Sequence, residues 1–192
     1  MSAPRGERDA ADLTTVAGTG LLGLLAIQAF VGYEWLMSGL AKLVRGGFPA
    51  GLADELREKS IESPSWYRNF LEEVVIPNGR VFGELVQAGE LLIGALLISS
   101  ALLWWLRWPA LGVGGRRLLL VTVIVASAGG VLLNVSFHLA NGGTHPWLIP
   151  REGFDEGVDL DSLMPLIEIV LAAVSARVLW VLRSEPHRRT SA

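Results

Sequence analysis

Glu34, Ser38 and Lys42 recur every four residues through a run whose neighbours include Leu24, Leu25, Ile27 and Phe30. That spacing puts a carboxylate, a hydroxyl and an ammonium on one stripe of a helix. Glu84, Gln87 and Glu90 step by three through a second apolar run, Gly130, Asn134 and His138 step by four through a third, and Glu168 stands in a fourth. Carboxylates and an imidazole at one depth can take up and release protons, and amides beside them can hydrogen-bond the oxygens of a small molecule. Glu34, Glu90 and His138 are therefore candidate catalytic residues. Lys42, Glu84, Gln87, Asn134 and Glu168 are candidate substrate-binding residues.

Each has a plainer alternative. Asn and Gln join membrane helices by hydrogen bonds, and Lys42, Glu84 and Glu168 lie near enough to an interface to reach water. Glu34 and Glu90 sit deeper. An ionisable group costs roughly 2.5–3.5 kcal/mol at mid-helix on insertion scales. Four carboxylates with one lysine cannot all be neutralised by pairing, which favours a polar pocket over structural contacts alone.

The elements that must position these groups are membrane spans. The chain has 192 residues, 51% of them hydrophobic and 18% charged, with a mean hydropathy of +0.44. Residues 16–44, 81–106, 118–139 and 163–182 are each long enough to cross a bilayer, which takes roughly 20 apolar residues. The predicted fold class is an all-α integral membrane protein, a four-transmembrane-helix bundle spanning residues 14–182, with short polar tails at 1–13 and 183–192. The first span is not read as a cleaved signal, because its apolar part exceeds a signal core and no small-residue cleavage site ends it cleanly.

Orientation follows from Lys and Arg. Arg5 and Arg8 precede the first span, Arg107, Arg116 and Arg117 follow the second, and Arg183, Arg188 and Arg189 end the chain. The connection after the third span carries Arg151 against Glu152, Asp155, Glu156, Asp159 and Asp161. Both termini are predicted to be cytoplasmic, with the two larger connections outside and Trp104, Trp105, Trp108 and Trp180 at the inner interface. At 1.5 Å per residue Glu34 then lies roughly 27 Å along its helix and Lys42 roughly 39 Å. Every candidate residue falls in the outer half. The inner half is nearly pure hydrocarbon apart from Gln28 and Arg177.

The first outer connection reads as more than loop. Ser63-Pro64 predicts an N-cap, and Trp66/Tyr67, Phe70/Leu71 and Val74/Val75 recur at helical spacing up to Pro77-Asn78-Gly79. This is a short amphipathic helix on the outer surface or capping the bundle, with Trp66, Phe70 and Val74 on its apolar face. A weaker helix is predicted over residues 52–60. The second outer connection is irregular, and Asp161-Ser162 can cap the fourth span.

Several chemistries are disfavoured. With no cysteine there is no disulfide, no Cys-ligated iron–sulfur cluster and no haem attached through C-x-x-C-H. Bis-histidine haem is disfavoured because His145 and His187 lie in a connection and a tail. The acidic residues 155–161 lack the spacing of an EF-hand, so no metal site is expected. A net charge of −3 without a basic block gives no reason to expect nucleic acid.

The motifs "SGLAKL" (38–43), "SWYRNFLEEVVIPN" (65–78), "GELLIGALLI" (89–98) and "EGVDLDSLMPLIEI" (156–169) together resemble the DoxX/DoxD-like family. The matching positions are Gly39, Lys42, Glu90 and Gly94. The resemblance implies a four-helix bundle in a membrane oxidoreductase assembly, as in the small membrane subunit of a thiosulfate:quinone oxidoreductase. The expected ligand is then a quinone, whose headgroup needs hydrogen bonds for two oxygens and acceptors for two protons. The expected partners are the lipid bilayer and a further protein subunit or a second copy of the chain. A non-catalytic scaffold that docks a partner protein is the first alternative, and a small-solute or proton-coupled transporter the second.

Overall fold

The computed structural model describes the backbone of residues 5–142 and 160–189, and the side chains of 19–142 and 163–183. The described secondary structure is all helical. Four long helices, α1 (Arg5–Arg45), α4 (Gly79–Arg107), α5 (Val113–Ala140) and α6 (Leu160–Arg189), form the bundle, and two short ones, α2 (Phe48–Lys59) and α3 (Ser65–Phe70), lie between α1 and α4. Among the described residues, four helices are long and apolar enough to cross a membrane. Phe30, Val44 and Leu118 stand 69–75% exposed on them. In water such a surface would drive aggregation, whereas lipid is its natural solvent.

The long helices alternate in direction, and glycines let their backbones approach. A methyl group on Gly94 would lie 2.5 Å from the Leu36 backbone nitrogen, and one on Gly39 2.9 Å from that of Leu91. These contacts run α1 antiparallel to α4, an intimacy that small residues make possible in a membrane. Gly129 faces Ile93 and Gly89 faces Leu133, which sets α5 antiparallel to α4. Arg117 donates to the Leu182 carbonyl, bringing the start of α5 to the far end of α6. α1 packs chiefly on α4 and α6 chiefly on α5, α4 joins α5, and α1 and α6 touch only sparsely. Val31, Trp35, Leu97, Val123 and Leu171 fill the centre.

One end of the bundle is capped. Gly46 and Gly47 take φ of 68° and 78°, a left-handed turn that glycine adopts without strain. It lays α2 along the start of α4, where Pro49 meets Gly83 and Ala53 meets Gly79. α3 packs on the end of α5: Tyr67 Oη donates to the Ser136 carbonyl at 3.1 Å, and Ser63 Oγ to that of Ala140 at 3.2 Å. Leu56, Tyr67, Leu71, Val75 and Ala140 form a second core beneath this cap. The opposite end is aromatic and basic. Trp104 and Trp108 stack at 3.9 Å, Arg116 sits 5.0 Å from the Trp108 ring, and Arg177 lies 4.5 Å from that of Trp180.

Several local expectations change. The tail expected over residues 1–13 is helical from Arg5, since Arg, Glu, Ala and Leu in that segment are good helix formers. Pro64, not Ser63, precedes the first helical residue of α3, and the Ser63 hydroxyl is spent on Ala140. The protein-facing side of α3 and the turn after it is Tyr67, Leu71 and Val75, while Trp66, Phe70 and Val74 are 41–64% exposed. Pro77-Asn78-Gly79 does not stop the helical path: a π-helical turn (Leu71–Val75) and a 3-10 turn (Ile76–Asn78) lead directly into α4. The helix predicted over residues 52–60 is Phe48–Lys59. α6 runs Leu160–Arg189, with Asp161 and Ser162 inside it rather than ahead of it. His145 and Asp155 to Asp159 lie outside the described residues.

Candidate functional site

Lys42 stands near the capped end of α1, one turn beyond Ser38 and two beyond Glu34. The close approach at Gly39 brings this stripe against α4 at Glu90. The Lys42 ammonium donates to Glu90 Oε1 at 2.7 Å, to Oε2 at 2.8 Å and to Ser38 Oγ at 2.8 Å. The carboxylate is 1% exposed and the lysine side chain 23%. All three ammonium hydrogens are thus engaged, two of them on one carboxylate, which is the geometry a charge pair needs to survive removal from water.

Glu168 is fully buried on α6. Trp35 Nε1 donates to its Oε1 at 2.6 Å and Asn134 Nδ2 to its Oε2 at 3.2 Å. Among the described residues no lysine or arginine pairs with it, so neutral donors from α1 and α5 hold this carboxyl group. Gly130 makes the arrangement possible, because a methyl group there would lie 1.9 Å from Glu168 Oε1. All four long helices therefore meet through two carboxyl groups.

Between the two clusters lies a cavity of about 170 Å³. α1 lines it with Glu34, Trp35, Ser38 and Lys42, α4 with Glu90, α5 with Asn134 and Phe137, and α6 with Met164. It sits where α1 faces α5 and α6, next to the sparse α1–α6 contact. Glu34 is exposed at its rim and has neither hydrogen bond nor ion pair among the described residues. It lies roughly 22 Å along the span from Thr19 and roughly 16 Å before Arg45, well inside the apolar length.

The structure thus brings Glu34, Lys42, Glu90 and Asn134 to one cavity, with Glu168 directly behind Asn134. It does not bring the remaining three there. Glu84 is 59% exposed and takes a 3.2 Å bond from Arg80 one turn earlier. Gln87 is half-buried on α4 away from the cavity, and His138 is half-buried beside Phe137 without lining it. Sequence reasoning missed Trp35, Phe137 and Met164. Trp35 carried a legible signal, since an indole N–H inside an apolar span must find an acceptor. Gln28, the polar exception in the other half, donates to the Leu97 carbonyl at 2.9 Å and joins α1 to α4.

The fold and site together define a multi-pass α-helical membrane protein with a polar cavity lined by four helices. No family model, no curated protein and no solved structure matches the chain.

Proposed function

We propose that the chain is a DoxX/DoxD-like membrane subunit of a quinone-linked oxidoreductase assembly, and that the cavity receives the ring of a quinone. The observation that carries this reading is Glu34, a carboxylate without a partner among the described residues, at the rim of a polar cavity and deep within a membrane span. A residue kept only for helix contact would have a contact to make, whereas an unpaired intramembrane acid marks a ligand or proton site.

The dimensions suit one ring. An apolar cavity of about 150 Å³ holds a benzene, and this one is about 170 Å³. A prenyl tail would have to remain in lipid, and the sparse α1–α6 contact supports entry from that side. Such a ring supplies two-electron, two-proton exchange when bound. The chain's own groups have definable tasks. Asn134 keeps a carbonyl oxygen and one amide hydrogen for a guest after serving Glu168. Glu34 is placed to accept a proton. Lys42 pairs with Glu90, which leaves Glu34 as the lining carboxyl group without a counter-ion among the described residues. Trp35 and Phe137 give the ring flat apolar walls. Electrons would come from a partner subunit, since a chain without cysteine has no thiolate ligands for a cluster.

Extraction of the mildly solubilised protein into organic solvent, followed by mass spectrometry, tests this. Close to one quinone per chain is expected. A second reading, a scaffold that docks a partner protein, is favoured by the internal saturation of Glu90 and Glu168, which fixes helix register without any ligand. Co-purification of a protein partner with no quinone would put that reading first.

A further inference from the structure

Two more cavities continue from the first towards the capped end. The next, about 230 Å³, shares Lys42 and Phe137 with it, and the outermost, about 600 Å³, shares Glu55, Lys59 and Asn141 with the middle one. The series changes character along its length. The outermost is ringed by charge, including Glu58 and a Lys59–Glu55 pair at 2.8 Å. The middle is walled by Phe48, Leu52 and Leu56. At the junction with the innermost, the Lys42 ammonium lies 5.1 Å from the Phe48 ring, while the same ammonium holds Glu90.

We propose that these three cavities form one path that admits water from the face formed by α2 to the Lys42–Glu90 pair, with Lys42 and Phe137 as its narrowest point. The path exchanges protons between that face and the inner cavity. The arrangement explains why the lysine is part-exposed while its carboxylate partner is not: the ammonium faces the path and the carboxylate faces the bundle. It also explains the stem of α2, whose apolar residues roof a passage that carries a charge at its base. The path rests on the proposed function only for its purpose, since a quinone ring that enters from lipid still needs protons from water. Its existence is independent of that reading.

The absence of native cysteine makes a direct test possible. The thiolate attacks a thiosulfonate, forming a disulfide and expelling sulfinate, so an introduced cysteine reacts only where water lets it ionise. In the full-length protein in liposomes, Ser38→Cys in the inner cavity is expected to react with a small neutral thiosulfonate at least tenfold faster than Leu92→Cys, which lies 59% exposed on the lipid-facing side of α4. Filling the middle cavity with Leu52→Trp should slow the reaction at Ser38→Cys at least tenfold, and Leu52→Phe should slow it less. Met164→Cys, on the opposite wall of the inner cavity, gives the same readout should Ser38→Cys not fold. An inner-cavity cysteine no more reactive than Leu92→Cys would overturn the path. So would a rate that the Leu52 substitutions leave unchanged, because water would then arrive through the α1–α6 contact. Quinone in the extract together with either of these results would leave the proposed function standing. Path-dependent labelling without quinone would do the reverse.

Discussion

At the scale of single residues, the question is which polar groups are bound to each other and which are not. Lys42 and Glu90 are bound to each other, and removing one strands the other. Glu90→Gln should destabilise the protein by about 3–5 kcal/mol, the usual consequence of breaking a buried pair. Combined with Lys42→Met, it should cost less than it does alone. A double-mutant cycle on thermal unfolding in detergent measures that coupling, and strict additivity would mean that the two charges do not meet. The pair was half legible in the sequence. The i, i+4 spacing placed Glu34, Ser38 and Lys42 on one stripe, and depth placed Glu90 at a matching height. Spacing within one helix cannot say which face a neighbour presents, however. Glu84 and Gln87 therefore fall in the same outer half as Glu90 without sharing its cavity, and His138 shared the stripe of Asn134 but lies one turn too far along α5.

At the scale of elements, glycines decide whether the charges can meet at all. Gly94→Ala would set a methyl group 2.5 Å from the backbone nitrogen of Leu36, and Gly130→Ala would set one 1.9 Å from Glu168 Oε1. The first has rigid backbone as its neighbour, so α1 and α4 must part. The second displaces a carboxyl group and leaves the Trp35 indole and the Asn134 amide without their acceptor. Both should destabilise by at least the 1–3 kcal/mol typical of overpacking, whereas Gly20→Ala, with open space around its Cβ, should change little. Thermal melts of the three variants check this, and indistinguishable melting would refute the packing account. The existence of the four long helices was readable from the apolar runs because a bilayer demands that length, but their polar ends were not, since α1 starts at Arg5 and α6 runs to Arg189. The orientation of α3 was not readable. Trp66/Tyr67, Phe70/Leu71 and Val74/Val75 are adjacent apolar pairs, so either member can face the protein. Next to lipid, apolarity also ceases to mark the buried side: Tyr67, whose hydroxyl reaches the Ser136 carbonyl, turns inward, and Trp66 turns out.

At the scale of the whole molecule, alternating helix directions bring the start of α1, the connection between α4 and α5, and the end of α6 to the tryptophan-rich end. The arginines of the connecting segments argue for that end in the cytoplasm. Cysteines at Arg5 and Arg188 should then stay protected from an impermeant thiol reagent in intact cells, while one at Asp155 should label. The opposite pattern would invert the protein in its membrane. Alternation also leaves α1 and α6 as the loosely joined pair, and this puts the unpartnered Glu34 at the rim of the cavity.

The most direct measurement of the central claim is a titration of the purified wild-type protein and Glu34→Gln with a short-tailed benzoquinone. Glu34 has no partner to lose among the described residues, so the two proteins should unfold within about 0.5 kcal/mol of one another, as surface-like substitutions do. Saturable binding by the wild type is expected, weakened at least tenfold in Glu34→Gln, a difference of about 1.4 kcal/mol. No saturable binding, or equal affinity for both proteins, would contradict a quinone-binding cavity at Glu34.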